Sequence, residues 1–595
     1  ENAGAVFFRE TLLLVDETSV SLAELKRAAE VICHELAHMW YGNLVTMRWW
    51  DDLWLNEAFA TWMAFDIVAK WRPEWKMWND FCHARDSALQ LDALENTHAI
   101  YTPVSTPSEA TQNFDLITYE KGAAVVRMLE RYLGADVFQR GVRSYIKRHR
   151  ESNTVARDLW DALSDAAGRD VDAVVKPFVE QSGFPLLRIE QLEVDGEHTL
   201  QLRQERFDAR GPNATRDGGA SWQVPWVGRV GGAATETARH LLEGPRAIVA
   251  LSRKPDFVYG NADEGGFFRP LHHPRDLPAL LEALPSLAPS ERLGFVQHQW
   301  ALVRAGYADL DTFLPLMAAL GSERDPDVLR ALHGPCDFLV EDLALAADGG
   351  ARGELQAHIA RTFGPALDEL GWGPDDDGIE SNETRLRRAE LLTLVGLIAE
   401  QEDVVEEAEA RCSDYLRDRR GLDANLVSPV LVVGARHADT ERLDRLLDLS
   451  ESDETPQARR RFRLVIADVR DPVLIENVLL ACLTPRIPTQ DVAFVLARLI
   501  RNPHAGAQAF DFLRANWTAL RERVPSMLVS RLIDATPALA NETQRRAVMS
   551  FFAANPVPTA TRALRQADER FALDAGFRKR AAPALRKWLA EQTVA

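Results

Sequence analysis

Five consecutive residues, His34-Glu35-Leu36-Ala37-His38, constrain this chain more than any other stretch. Their surroundings read as a helix. Ser21 and Glu24 form an S-x-x-E pair suited to cap its start, and Gly42 stands where a helix would stop, so the spacing predicts one helix over residues 22 to about 41. On a helix, the i, i+4 spacing stacks both imidazoles on one face, a turn apart. Two neutral nitrogens then converge on one point, the usual beginning of a zinc site.

Catalytic zinc takes three protein ligands and keeps one position open, so a third ligand must come from another segment. Glu57 is placed to supply it, with eighteen residues between it and His38. Asp51 and Asp52 read as caps of a second helix carrying Trp54-Leu55-Asn56-Glu57-Ala58-Phe59-Ala60, and the stretch between the two helices gives the chain room to reverse. The expected metal ligands are therefore His34, His38 and Glu57. Glu35, between the two histidines but not a ligand, is the expected general base.

The run His34-Glu35-Leu36-Ala37-His38-Met39-Trp40-Tyr41-Gly42-Asn43-Leu44-Val45-Thr46, followed by Trp54-Leu55-Asn56-Glu57-Ala58-Phe59-Ala60, closely resembles the gluzincin aminopeptidases, the family of aminopeptidase N and the puromycin-sensitive aminopeptidase. Weaker resemblance continues through Gly183-Phe184-Pro185, Gln490-Asp491 and Asn516-Trp517. The resemblance implies a thermolysin-like, α-rich catalytic domain holding one Zn²⁺ per chain. It implies hydrolysis of peptides from a free N-terminus. Ile117-Thr118-Tyr119-Glu120-Lys121-Gly122-Ala123 is similar to the family segment whose tyrosine supports the oxyanion, which assigns that role to Tyr119. Glu1-Asn2-Ala3-Gly4-Ala5 is similar to the end of the family's G-x-M-E-N motif, which makes Glu1 the substrate-binding carboxylate for the α-ammonium group. An epoxide hydrolase-like enzyme on the same scaffold, or an inactive binding scaffold, are the competing readings.

A chain of 595 residues exceeds one core, and its texture suggests three domains. Eight of the fifteen tryptophans fall between Trp40 and Trp78, marking a dense α-rich domain over residues 1–185. Over 186–270, short β-prone runs such as Thr199-Leu200-Gln201-Leu202-Arg203, Val224-Pro225-Trp226-Val227 and Ala247-Ile248-Val249-Ala250-Leu251 alternate with Gly, Pro and Asn clusters, which suggests a β-sandwich. Residues 271–595 read as an α-helical solenoid or bundle, with apolar positions such as Leu391, Leu392, Leu394, Val395, Leu397 and Ile398. Overall, a multidomain, mainly α protein is expected.

The formal net charge of -20 argues against nucleic acid and anionic membranes as partners. No apolar run reaches the roughly 18 residues of a membrane span. Five scattered cysteines do not form a disulfide pattern and point to a reducing, cytoplasmic compartment. The chain opens on Glu1 before Ala5-Val6-Phe7-Phe8, which reads as a strand, and resembles a piece lacking the family's N-terminal domain. His83, His98 and His149 lack ligand spacing, and Cys33 reads as a small packed residue. Asp375-Asp376-Asp377 reads as a solvated loop. Trp40, Trp49, Trp50 and Trp54 are expected to fill the core behind the metal helices.

Overall fold

A computed structural model describes residues 1–17, 19–194, 196–214, 221–232, 235–374 and 380–594, with the side chains of 194, 593 and 594 left aside. The loop at Asp375-Asp376-Asp377 lies outside the described residues. The fold is mostly helical with a few small sheets. The chain forms two units, one of residues 1–7 and 29–319, the other of 8–28 and 320–595.

In the first unit the helix Trp54–Trp71 is buried along most of its length, from Trp54 through Val68. Its apolar residues run all round the helix rather than down one stripe, the pattern of a helix enclosed by others. Trp54 stacks on Trp160 at 5.4 Å, and Gly122, at the start of the helix Gly122–Leu133, lies so close to Ala58 that a Cβ there would come within 2.6 Å of the Ala58 Cβ. Fully burying a large apolar side chain such as Phe59 contributes about 1.5–3 kcal/mol. A helix in this position places any polar residue it carries in a dry setting, so Asn56, Glu57 and Thr61, all buried, need partners.

Pro185–Val194 pairs antiparallel with Glu197–Arg206 and parallel with Arg269–His272, and Arg246–Ala250 completes this four-stranded sheet. Along Glu197–Arg206 the buried side chains Leu200, Leu202 and Gln204 recur every second residue, as one covered face requires. A second sheet joins Glu236–Leu242, Val224–Val230 and Val258–Tyr259. Next to it, Asp263 and Glu264 adopt φ of 51° and 54°, a left-handed conformation that side chains resist. The buried Glu264 carboxylate offsets that strain by accepting from Arg85, Tyr259, Asn261 and His298.

The second unit is helical, with no strand among its described residues. Its short polar breaks are N-caps: Ser381, Asp439, Thr455, Asp471 and Asn541 each accept a backbone N–H from the turn that follows. Leu391, Leu392, Leu394, Val395 and Ile398 are buried as their spacing predicts. No helix among the described residues is long and apolar enough to cross a membrane.

Several local expectations are corrected. Ala5-Val6-Phe7-Phe8 is not a strand, and Phe7 is 81% exposed. The first metal helix runs Leu22–Ala37 and stops short of 41, because the chain tightens into turns in which Trp40 N–H donates to Ala37 O and Asn43 N–H to His38 O. Its capping box forms as expected, with Ser21 N–H donating to Glu24 Oε2 at 2.8 Å and Glu24 N–H to Ser21 Oγ at 3.3 Å. Asp51 and Asp52 do not cap the second helix. Asp51 accepts Val104 N–H at 2.6 Å and Asp52 accepts the Trp54 indole at 3.2 Å, while Leu53 occupies the cap without a side-chain bond. Of the four tryptophans only Trp54 lies in the core; Trp40, Trp49 and Trp50 are exposed.

Candidate metal and active site

The helix Leu22–Ala37, with His38 in the turn directly after it, and the helix Trp54–Trp71 bring three ligand atoms together. His34 Nε2 lies 3.0 Å from His38 Nε2 and 3.2 Å from Glu57 Oε2, and His38 Nε2 lies 3.4 Å from the same oxygen. Tetrahedral zinc with bonds of 2.0–2.2 Å sets its ligand atoms about 3.3–3.6 Å apart. The three observed separations lie at or just below the lower end of that range, so a small outward adjustment fits the residues to the metal. Among the described residues, His34, His38 and Glu57 form the only group of three or more such side chains with this convergence.

The outer contacts orient each ring. Tyr41 O can only accept, so the 2.9 Å bond from His38 Nδ1 fixes the proton there and leaves Nε2 with its lone pair. His34 Nδ1 lies 3.3 Å from Thr61 Oγ1, one helical turn beyond Glu57. Burial alone would raise the Glu57 carboxyl, but the His34 and His38 imidazoles beside it outweigh this and hold the group at about 2. Burial likewise lowers His38, and Glu57 and Glu1 more than reverse this. The cluster thus keeps an anionic carboxylate in a buried setting.

Other expected residues lie around this point. Tyr119 stacks on His34 with centroids 5.9 Å apart, on a π-helical turn, Ile117–Lys121, in which Lys121 N–H reaches back to Leu116 O. Burial, then the Glu57 carboxylate, hold its phenol well above the ordinary range. Glu35 is half-buried, and the Glu1 backbone nitrogen stands 2.9 Å from its Oε2. The Glu1 carboxylate lies 3.6 Å from His38 Nδ1 and is raised by burial first, with His38 opposing.

Sequence reading passed over several residues here. Thr61 carried a usable signal, being four residues after Glu57 on the same helix. His98, set aside for want of ligand spacing, binds Asp115 at 2.8 Å, and Asp115 Oδ1 accepts Ile117 N–H at 3.0 Å under the Tyr119 turn. Cys33 is half-buried, and burial raises its thiol.

Residues 1–178 match the peptidase family M1 domain and residues 257–572 an ERAP1-like C-terminal domain. The chain is 31% identical to Aminopeptidase M1 of Arabidopsis thaliana, over 97% of its own length and 67% of the plant protein. It is 29% identical to Leucyl aminopeptidase of Saccharolobus solfataricus, over 95% and 68% of the two chains. It is also 31% identical to the Puromycin-sensitive aminopeptidase of Caenorhabditis elegans, over 80% and 50%. The chain therefore spans about two thirds of the plant and archaeal relatives and half of the nematode one.

Proposed function

Since the chain belongs to peptidase family M1, we propose that it is a zinc aminopeptidase that releases residues one at a time from peptides with a free N-terminus. The supporting observation is the placement of a carboxylate, Glu1, beside the convergent His34, His38 and Glu57. A hydrolase acting within chains has no use for a fixed anion there, whereas one that reads an α-ammonium group does.

One Zn²⁺ per chain, held by His34, His38 and Glu57, would supply a Lewis acid for the scissile carbonyl and a water ionised near neutral pH. Glu35 accepts the proton of that water and passes it to the leaving amine. Glu1 pairs with the α-ammonium group and so aligns the first peptide bond with Glu35. Tyr119 donates its hydroxyl hydrogen to the oxygen on which negative charge develops. His38, its proton held at Nδ1 by Tyr41 O, keeps its Nε2 free to bind metal, and Thr61 Oγ1 can accept the His34 Nδ1 proton to the same effect.

The proposed division of labour gives residues 1–185 to a thermolysin-like catalytic domain, 186–270 to a β-sandwich and 271–595 to an α-helical solenoid. Five free thiols, four of them buried, support a reducing compartment such as the cytoplasm. The reading is tested by comparing hydrolysis of alanyl and leucyl fluorogenic amides with their N-acetylated forms, with zinc measured on the same sample. Cleavage confined to the free amines supports it; equal cleavage of both forms contradicts it.

A further inference from the structure

We propose that Asn56 and Gly42 are positioning residues that hold the Glu1 carboxylate where it can read a substrate's α-ammonium group; this rests on the assignment of Glu1 above.

Glu1 begins a segment outside any helix or strand, and its side chain is 32% exposed. Such a carboxylate has free rotation about its own bonds unless something fixes it, and a loose anion gives up much of the orientation a binding group supplies. Two features fix it. Asn56 Nδ2 donates to Glu1 Oε1 at 2.9 Å, and Asn56 is only 3% exposed on a helix enclosed along most of its length. The donor is therefore as immobile as the ligand Glu57 next to it. Gly42, on the other side, has φ of +123°, and a Cβ there would stand 2.1 Å from Glu1 Oε1 and 3.0 Å from Asn56 Nδ2. The absent side chain is the space the carboxylate fills. Gly42 is itself pinned, its N–H donating to Val45 O at 2.9 Å and its O accepting from Thr46 Oγ1 at 2.8 Å.

These contacts divide the work of the two oxygens. Oε1 sits in the cradle of Asn56, Gly42 and His38, whereas Oε2 has no hydrogen bond among the described residues. An ammonium ion arriving there completes a charge-assisted pair with a carboxylate already at its binding angle. Asn56 stands outside the converging group of His34, His38 and Glu57 and acts through Glu1.

The test uses Glu1→Gln, Asn56→Asp, Gly42→Ala and the double variants Glu1→Gln/Asn56→Asp and Glu1→Gln/Gly42→Ala, with kcat and KM for leucyl fluorogenic amide and zinc content measured on each. Asn56→Asp keeps the volume but replaces the donor with a second anion. The expected result is a KM raised about 10- to 100-fold, the range for a hydrogen bond to a charged group, with kcat changed less and zinc retained. Glu1→Gln should raise KM similarly, and Glu1→Gln/Asn56→Asp should be no worse than Glu1→Gln alone, because Asn56 has nothing left to position. A Glu1→Gln/Asn56→Asp variant whose losses multiply, or an Asn56→Asp that lowers kcat at unchanged KM, overturns the proposal. If Glu1→Gln itself leaves KM unchanged, the assignment of Glu1 fails instead. Should Asn56→Asp lose zinc through its neighbour Glu57, Gly42→Ala decides the matter from a separate segment: a raised KM that vanishes in the Glu1→Gln background supports the cradle, and an unchanged KM overturns it.

Discussion

Tyr119 and Thr61 both lie against His34, one through its ring and one through Nδ1, and their roles separate experimentally. Tyr119→Phe keeps the stacking and removes the donor, so kcat should fall about 10²- to 10³-fold with zinc and KM nearly unchanged; steady-state kinetics check this. Thr61→Val keeps the shape and removes the partner of His34 Nδ1, so zinc affinity should weaken about 10- to 100-fold in competition with a chelator. The convergence of His34, His38 and Glu57 was legible because metal geometry demands particular residue types at helical spacing. Asn56 and His98 were not legible. Asn56 acts on Glu1 across 55 positions, and His98 acts through Asp115 rather than through any motif of its own.

At the scale of elements, the turn Ile117–Lys121 is anchored by a buried pair. Lys121 Nζ lies 2.8 Å from Asp92 Oδ2, both side chains are inaccessible, and Asp92 Oδ1 also accepts Gly183 N–H at 2.7 Å. Burial lowers the Lys121 ammonium and Asp92 opposes this, so each ion depends on the other. Lys121→Met leaves a buried carboxylate without its counter-ion and should cost about 3–5 kcal/mol in urea unfolding. Helices and strands were read well where an apolar pattern ran on, as in Thr199–Arg203 within Glu197–Arg206 and in the positions from Leu391 to Ile398. Boundaries failed where distant partners decided them. Asp51, apt as a cap by its type, is drawn off by Val104 N–H, and the first metal helix ends at Ala37 because its next residues turn back to pair Val45–Met47 with Ser152–Thr154. Trp40, Trp49 and Trp50 show the same limit, since composition marks a residue as fit for a core without saying which core.

Across the whole molecule, acid stability is set by buried groups in both units. Burial, helped by His298, lowers His272 to about 3, and burial lowers His333 to about 4. Folded, these imidazoles stay neutral to those values; unfolded, they take protons below about 6.5. The unfolded chain therefore binds more protons in that window, and stability falls as pH drops from about 6.5 towards 3 to 4. Burial raises Glu264, but Arg85, His298 and Tyr259 outweigh it and hold the carboxyl at about 2. Its contribution is complete above the ordinary carboxylate range and is lost as pH falls towards 2. Thermal midpoints measured across this range should decline throughout, with His272→Gln flattening the upper part of the slope. The proposed chemistry rests on one zinc site and one base, Glu35. The most direct test is steady-state hydrolysis of leucyl fluorogenic amide by the native chain and by Glu35→Gln at matched zinc content. One zinc per chain is expected in both, with kcat lowered by a factor of at least about 10² in the variant, as loss of a general base requires. A Glu35→Gln chain that keeps its zinc and most of its activity would contradict it.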